Sequence, residues 1–275
     1  MRTAEALGYA HLVPPDHVLG VNPSADHSGR RVGTTANACH DPFVLFGFLS
    51  GCTQQICFAV GVLILAQRRT ILVAKQAASL EQLSGGRFQL RIGVGWNEVE
   101  FVGLNENLRN RGKRSAAQVK VMQALWAGPH VRFAGEFHRI DNASINPRPA
   151  SGRVPIWYGG HAEATFQRCA KYGDGYMPFV YPAGEAALAT FAKLRALTGE
   201  AWRDPSAMGL EVWVSPDSGA PEDRRREMFW RKAGVSHVTA HATYVAGHHK
   251  RIASRNAAEH LTAITRYREA VADLL

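Results

Sequence analysis

Residues 57–96 constrain the chain more than any other stretch, because they admit one reading: strand, helix, strand. Residues 57–65 (C-F-A-V-G-V-L-I-L) are apolar and rich in β-branched side chains, and Gln67-Arg68-Arg69-Thr70 breaks the run. Residues 71–83 switch to helical spacing, which predicts Ile71, Ala74, Ala78 and Leu83 on or near one face. Ser84-Gly85-Gly86 ends that helix with residues suited to a left-handed cap. Residues 88–94 make the next strand, which leaves through Gly93-Val94-Gly95-Trp96 without a side chain to block a ligand. Two apolar strands joined by a helix imply a parallel pair and a right-handed crossover. Ligands of such folds sit at the carboxyl ends of the strands, so Gly61 and the pair Gly93 and Gly95 are the first places to look for a site.

The rest of the chain repeats the alternation. Strands are expected near residues 10, 58, 89, 156, 176, 210 and 236, separated by helices, which means a mostly parallel α/β fold. Residues 130–140 stand apart as a hairpin, with Val131, Phe133, Phe137 and Ile140 alternating around Ala134-Gly135-Glu136. Asp41 as N-cap and Pro42 at the first helical position start a helix that runs to about Gly51. Another covers residues 115–126, with Val119, Met122 and Trp126 on one side. The chain opens on the tail of a helix at residues 4–8. A complete eight-stranded barrel would therefore lack its first strand, and the expectation is one N-terminally incomplete barrel domain over residues 1–275.

With 275 residues, 46% of them apolar, the chain can bury one large core. A net charge of +9 invites a nucleic-acid reading, but the basic residues are spread, and no helix-turn-helix, zinc-finger or RNP-like pattern accompanies the local runs at 109–114, 224–226 and 248–255. A solvated surface with a general attraction for phosphate-bearing or polycarboxylate ligands is the expectation, with a small-molecule substrate and neither nucleic acid nor membrane as partner. Cys39, Cys52, Cys57 and Cys169 form no C-x-x-C pair and no metal-type spacing, which favours reduced structural thiols in a cytoplasm. Residues 43–66 are nearly uncharged and long enough to raise the question of a membrane span, but Thr53-Gln54-Gln55 interrupts them; a buried helix followed by a buried strand is the better account.

Two further features carry chemistry. Pro14-Pro15-Asp16-His17 leaves the first strand at its carboxyl end, and Asp16-His17 reads equally well as a site pair or as a turn Asp followed by a loop His. Gly159-Gly160-His161 follows the strand at 154–158 and opens directly onto a helix, a geometry in which backbone N–H groups and the helix dipole favour an anion.

The blocks G-V-L-I-L-A-Q-R-R-T-I-L-V-A-K-Q-A-A-S-L-E-Q-L-S-G-G-R-F (61–88), G-V-G-W-N-E-V-E-F (93–101), R-N-R-G-K-R (109–114), A-L-W (124–126), F-A-G-E-F-H-R-I (133–140), P-I-W-Y-G-G (155–160) and Y-G-D-G-Y-M-P (172–178) occur in that order. Together they resemble the bacterial luciferase-like flavin and deazaflavin oxidoreductases, most closely the branch that uses coenzyme F420. The resemblance implies a TIM-type (β/α)8 barrel and a non-prolyl cis peptide at Gly61-Val62, behind the cofactor ring. It implies that Gly95, Trp96 and Asn97, together with Tyr158, Gly159, Gly160 and His161, hold the cofactor. It places Asp16 and His17 near the ring as catalytic residues, since an imidazole can donate or accept a proton near neutral pH. The implied activity is hydride transfer between F420 and an organic substrate. An FMN-dependent luciferase-like monooxygenase and a non-catalytic cofactor-binding barrel are the alternatives, and a homodimer is the implied assembly.

Overall fold

Helix α1 (Arg2–Ala6) leads into strand β1 (His11–Leu12), and helix α2 (Pro42–Ser50) follows. Asp41 caps α2 by accepting from the N–H groups of Phe43 and Val44, as the Asp-Pro start predicts. The apolar run at 57–65 divides into β2 (Cys57–Ala59) and β3 (Leu63–Ile64), joined through a cis peptide between Gly61 and Val62. Helix α3 (Thr70–Leu83), strand β4 (Phe88–Gly93), the short helix α4 (Glu98–Gly103) and helix α5 (Arg111–Ala127) come next. The hairpin is β5 (Val131–Ala134) with β6 (Arg139–Ala143). Then come β7 (Ile156–Gly159), α6 (Glu163–Tyr172), β8 (Gly175–Met177), α7 (Glu185–Glu200), β9 (Gly209–Val214), α8 (Ala220–Lys232), β10 (His237–Ala240) and α9 (Ala257–Ala270).

This computed structural model describes residues 1–22, 24, 33–178, 183–215, 219–242, 252 and 256–274. Much of the three loops that would select a substrate, at 22–38, 179–183 and 241–255, lies outside the described residues. The chain divides into a contiguous unit, Ala10–Trp157, and a split unit made of Met1–Tyr9 with Tyr158–Leu275.

In the contiguous unit the strands pair parallel in the order β1, β2, β4, with β3 also on β4. Phe58 is opposite Phe88 while Leu63 is opposite Ile92, so five steps on one strand match four on its neighbour. That extra residue is a bulge, and it re-aims the chain at the carboxyl end of the strand. The core here joins Phe46, Phe58 and Phe88, with ring centroids of Phe46 and Phe58 5.1 Å apart. Helix α3 buries Val73, Ala74, Ala77, Ala78 and Leu80, whereas Ile71 and Leu83 point outward, contrary to the face expected from spacing. Small alanines let α3 approach α5 closely enough for the Trp126 indole to donate to the Ala74 carbonyl at 3.0 Å. Helix α5 also starts earlier than expected, so the basic run at 109–114 supplies its first turn.

In the split unit β8, β9 and β10 pair parallel in sequence order, with Tyr176 opposite Leu210 and Val212 opposite Val238. Helix α1 packs on α9: Arg268 donates to the Leu7 carbonyl at 2.8 Å and Tyr9 to the Ile264 carbonyl at 2.7 Å. All four cysteines are free thiols.

Candidate active site

In the contiguous unit, three parallel strands deliver their loops to one end. The loop after β1 carries Asp16, only 3% exposed. Its Oδ1 accepts from Arg68 Nη2 at 2.6 Å, and its Oδ2 accepts from Arg68 Nε at 3.2 Å and from the Ile64 N–H at 3.1 Å. The third arm of Arg68 donates to Asp41 Oδ2 at 2.9 Å. Burial works against the guanidinium charge, and the two carboxylates more than offset it, so Arg68 holds its proton more tightly than usual. Asp16 is thus saturated by a forked ion pair and a backbone N–H. The Pro14 carbonyl accepts from the Gly61 N–H at 2.8 Å, which ties the same loop to the cis peptide that the resemblance anticipated.

His17 comes next. Its Nδ1 lies 3.3 Å from Glu100 Oε2, while Glu100 Oε1 accepts from the N–H groups of Val18 and Leu19 at 2.9 and 3.2 Å. Burial pushes the Glu100 carboxyl up, but His17 and the two backbone donors outweigh it and hold the group below the ordinary range. An ionised carboxylate only accepts, so Nδ1 carries the hydrogen and Nε2 remains to accept or release a proton. The edge of Trp96 meets the imidazole with centroids 6.4 Å apart. Gly33 covers the ring so closely that a Cβ there would stand 2.6 Å from His17 Cε1. Neither Glu100 nor Gly33 was singled out by sequence: α4 is too short for a periodic pattern, and Gly33 sits in a polar loop. Arg68, read from sequence as a strand breaker, is the residue that holds Asp16.

The glycines at the end of β4 also let neighbouring side chains pack close. A Cβ on Gly93 would meet Val62 Cγ2 at 2.5 Å. One on Gly95, whose φ is +79°, would meet Ile64 Cγ2 at 2.5 Å and Phe101 Cε2 at 2.9 Å. Asn97 caps α4 through the Val99 N–H at 3.2 Å, and its buried Nδ2 has no partner among the described residues, which leaves a donor for a ligand.

In the split unit, β7 leads through Gly160 and His161 to α6, whose N-cap is Ala162. No side chain caps that helix end; the Thr165 N–H donates to the Ala162 carbonyl at 2.8 Å, and the N–H groups of Glu163 and Ala164 precede it in the first turn, where an anion is favoured. The Tyr176 hydroxyl steadies the turn by donating to the Gly160 carbonyl at 3.0 Å. His161 is exposed at residue level, yet neighbouring protein pushes its imidazole below the ordinary value by desolvation. Tyr158 is buried beside Gly173 and Cys169; burial drives its hydroxyl pKa up, and the hydroxyl has no partner among the described residues. Its neighbours belong to α6 and the turn that follows, so it supports this helix from beneath.

The sequence pattern of the family described as luciferase-like monooxygenase matches residues 1–273. The chain belongs to that family. An F420-dependent secondary alcohol dehydrogenase, solved with an F420-acetone adduct, is similar in fold with a TM-score of 0.76, covering 98% of this chain and 92% of that one at 19% identity. That likeness shows the TIM-type barrel fold of luciferase-like enzymes. An uncharacterized protein of Mycobacterium tuberculosis is 34% identical over 183 residues, 64% of this chain and 62% of that protein's length. An FMNH2-dependent dimethylsulfone monooxygenase of Pseudomonas fluorescens is 34% identical over 108 residues, 38% of this chain and 29% of that enzyme. Luciferase-like monooxygenases are oxidoreductases; an F420-dependent enzyme stands among the structures similar in fold and an FMNH2-dependent one among the proteins similar in sequence.

Proposed function

We propose that the protein is an oxidoreductase that moves a hydride between coenzyme F420 and a small organic substrate. The observation that carries the reading is His17, held at Nδ1 by an ionised Glu100, edged by Trp96 and covered by Gly33. The cofactor supplies the hydride chemistry. His17 then takes the proton that leaves the substrate heteroatom, or returns it in the reverse direction, at Nε2. Asp16, saturated by Arg68, positions the loop that carries His17. By the family resemblance, Gly61 and Val62 lie behind the ring, while Gly95, Trp96 and Asn97, with Tyr158, Gly159, Gly160 and His161, hold the ribityl and phosphate portion.

The +9 charge supports F420, whose tail bears a phosphate and several carboxylates. FMN is the second reading, supported by the FMNH2-dependent relative. Fluorescence titration with F420 against FMN, repeated across a salt series, separates them. Tighter and more salt-sensitive F420 binding is expected; failure to bind either at micromolar concentration sinks the proposal, and binding without turnover on any substrate points to a non-catalytic barrel. The reading extends to a cytoplasmic homodimer. Its free thiols suit that compartment, no helix among the described residues is long and apolar enough to cross a membrane, and exposed Val44 and Phe48 of α2 with Leu72 and Leu83 of α3 offer apolar surface to a second copy.

A further inference from the structure

A cavity of about 470 Å3 lies within the contiguous unit between the first turn of α3, the turn after α4 and the β5–β6 hairpin. Its wall includes Arg69, Thr70, Glu106, Asn110, Arg114 and His138, none of which belongs to the candidate active site. The volume suits a small-molecule ligand.

Three observations give it a chemistry. The first is charge. Arg114, with its side chain 12% exposed, pairs with Glu106, while Arg69, 81% exposed, stands 4.0 Å from the same carboxylate. Two guanidinium groups therefore share one anion, and with Glu106 already engaged the excess is positive. Burial first and then the Arg69 charge ease the proton from Arg114, the mark of two cations facing one space.

The second is the end of α3. Its N-cap is Arg69, and no side chain bonds the open N–H groups of the first turn, so the positive end of a 14-residue helix faces the cavity wall made by Arg69, Thr70 and Ile71. The third is a pair of unspent polar atoms. Gln118 Nε2 lies 3.1 Å from Thr70 Oγ1, and an amide nitrogen cannot accept. The Thr70 hydroxyl also pairs with His138 Nε2 at 2.6 Å. That Nδ1 and Asn110 Oδ1 are both buried and both lack a partner among the described residues. Burial, with Arg114 adding to it, pushes His138 below the ordinary imidazole value, which favours its neutral form.

We propose that this cavity binds a small molecule through a phosphate-type oxyanion. Arg69 and the open N–H groups of α3 take the oxyanion, and the rest of the cavity, with His138 and Asn110, receives the organic body. Arg69 is the accessible cation of the site, since its side chain is 81% exposed and stands 4.0 Å from Glu106.

Inorganic phosphate titrated against the full chain at constant ionic strength tests this, with F420 or FMN in excess so that any phosphate subsite of the cofactor is filled. The thermal midpoint rises with phosphate, following the logarithm of one plus the ratio of phosphate to its dissociation constant. Arg69→Gln raises the dissociation constant fitted from that rise about tenfold or more, as expected for losing a charge-assisted hydrogen bond. Arg132→Gln, which removes the same charge from a side chain 77% exposed on the hairpin, leaves it unchanged. Because Arg69 is exposed, its substitution leaves the fold intact. The proposal is overturned by the absence of a rise, by a rise that chloride reproduces (an adventitious ion only), or by an equal dissociation constant in Arg69→Gln.

Discussion

An imidazole that gives its Nδ1 hydrogen to a carboxylate has one nitrogen left for chemistry, and here that division is built by Glu100. His17→Ala is expected to lower kcat by about a hundredfold or more while leaving cofactor affinity within a few-fold, as measured by steady-state kinetics beside a binding titration. Glu100 also serves the fold. Its carboxyl is held below the ordinary value of about 4, so its ionised form stabilises the native state above that value, and this contribution is lost as pH falls through the lower native value. Glu100→Gln should therefore cost about 1–3 kcal/mol near neutrality in urea unfolding, and the gap from the parent protein should close in acid. Gly95 is a second case where one atom decides. Gly95→Ala adds a Cβ into Ile64 and Phe101 at a left-handed φ, so a loss of at least about 2 kcal/mol is expected. Gly152→Ala shares the positive φ but meets nothing within 4 Å, so its thermal midpoint should fall less, and the difference isolates the packing cost.

Single elements explain what could and could not be read from sequence. The Asp-Pro start of α2, the hairpin and the order of the strands were legible because local chemistry and period decide them. The outward turn of Ile71 and Leu83 was not, because α3 packs through its alanines, whose small size carries little weight in a pattern of large apolar residues. The division of the apolar run into β2 and β3 was anticipated only through family resemblance, since a one-residue bulge leaves no trace in composition. Within the site, Asp16 and His17 were visible as residue types at a strand end, whereas their partners Arg68 and Glu100 come from 52 and 83 residues away. The Arg68 fork holds the loop after β1 against β3 and the start of α2. Arg68→Met leaves Asp16 buried and unpaired and should cost about 3–5 kcal/mol in chemical denaturation. Arg68→Lys should restore part of that, because it returns the charge without the planar fork.

At the scale of the whole molecule, the split unit is held at its seam by side chains from opposite ends of the chain. Tyr9→Phe removes the bond to the Ile264 carbonyl and leaves that acceptor short, so the thermal midpoint should drop by an amount matching about 1–2 kcal/mol. If the proposed homodimer forms through the exposed apolar side chains of α2 and α3, Phe48→Glu should halve the mass seen by light scattering without unfolding the chain. The seam between α1 and α9 has a consequence for biosynthesis. A ribosome releases residues 10–157 as one uninterrupted block, which can close on itself while synthesis continues. Helix α1 emerges before that block yet must wait for Ile264 and Arg268, made after it, before its own contacts exist. Maturation of the split unit is thereby tied to synthesis past Arg268, and a nascent chain stalled before that point would carry helix α1 unsheltered and open to chaperones and proteases.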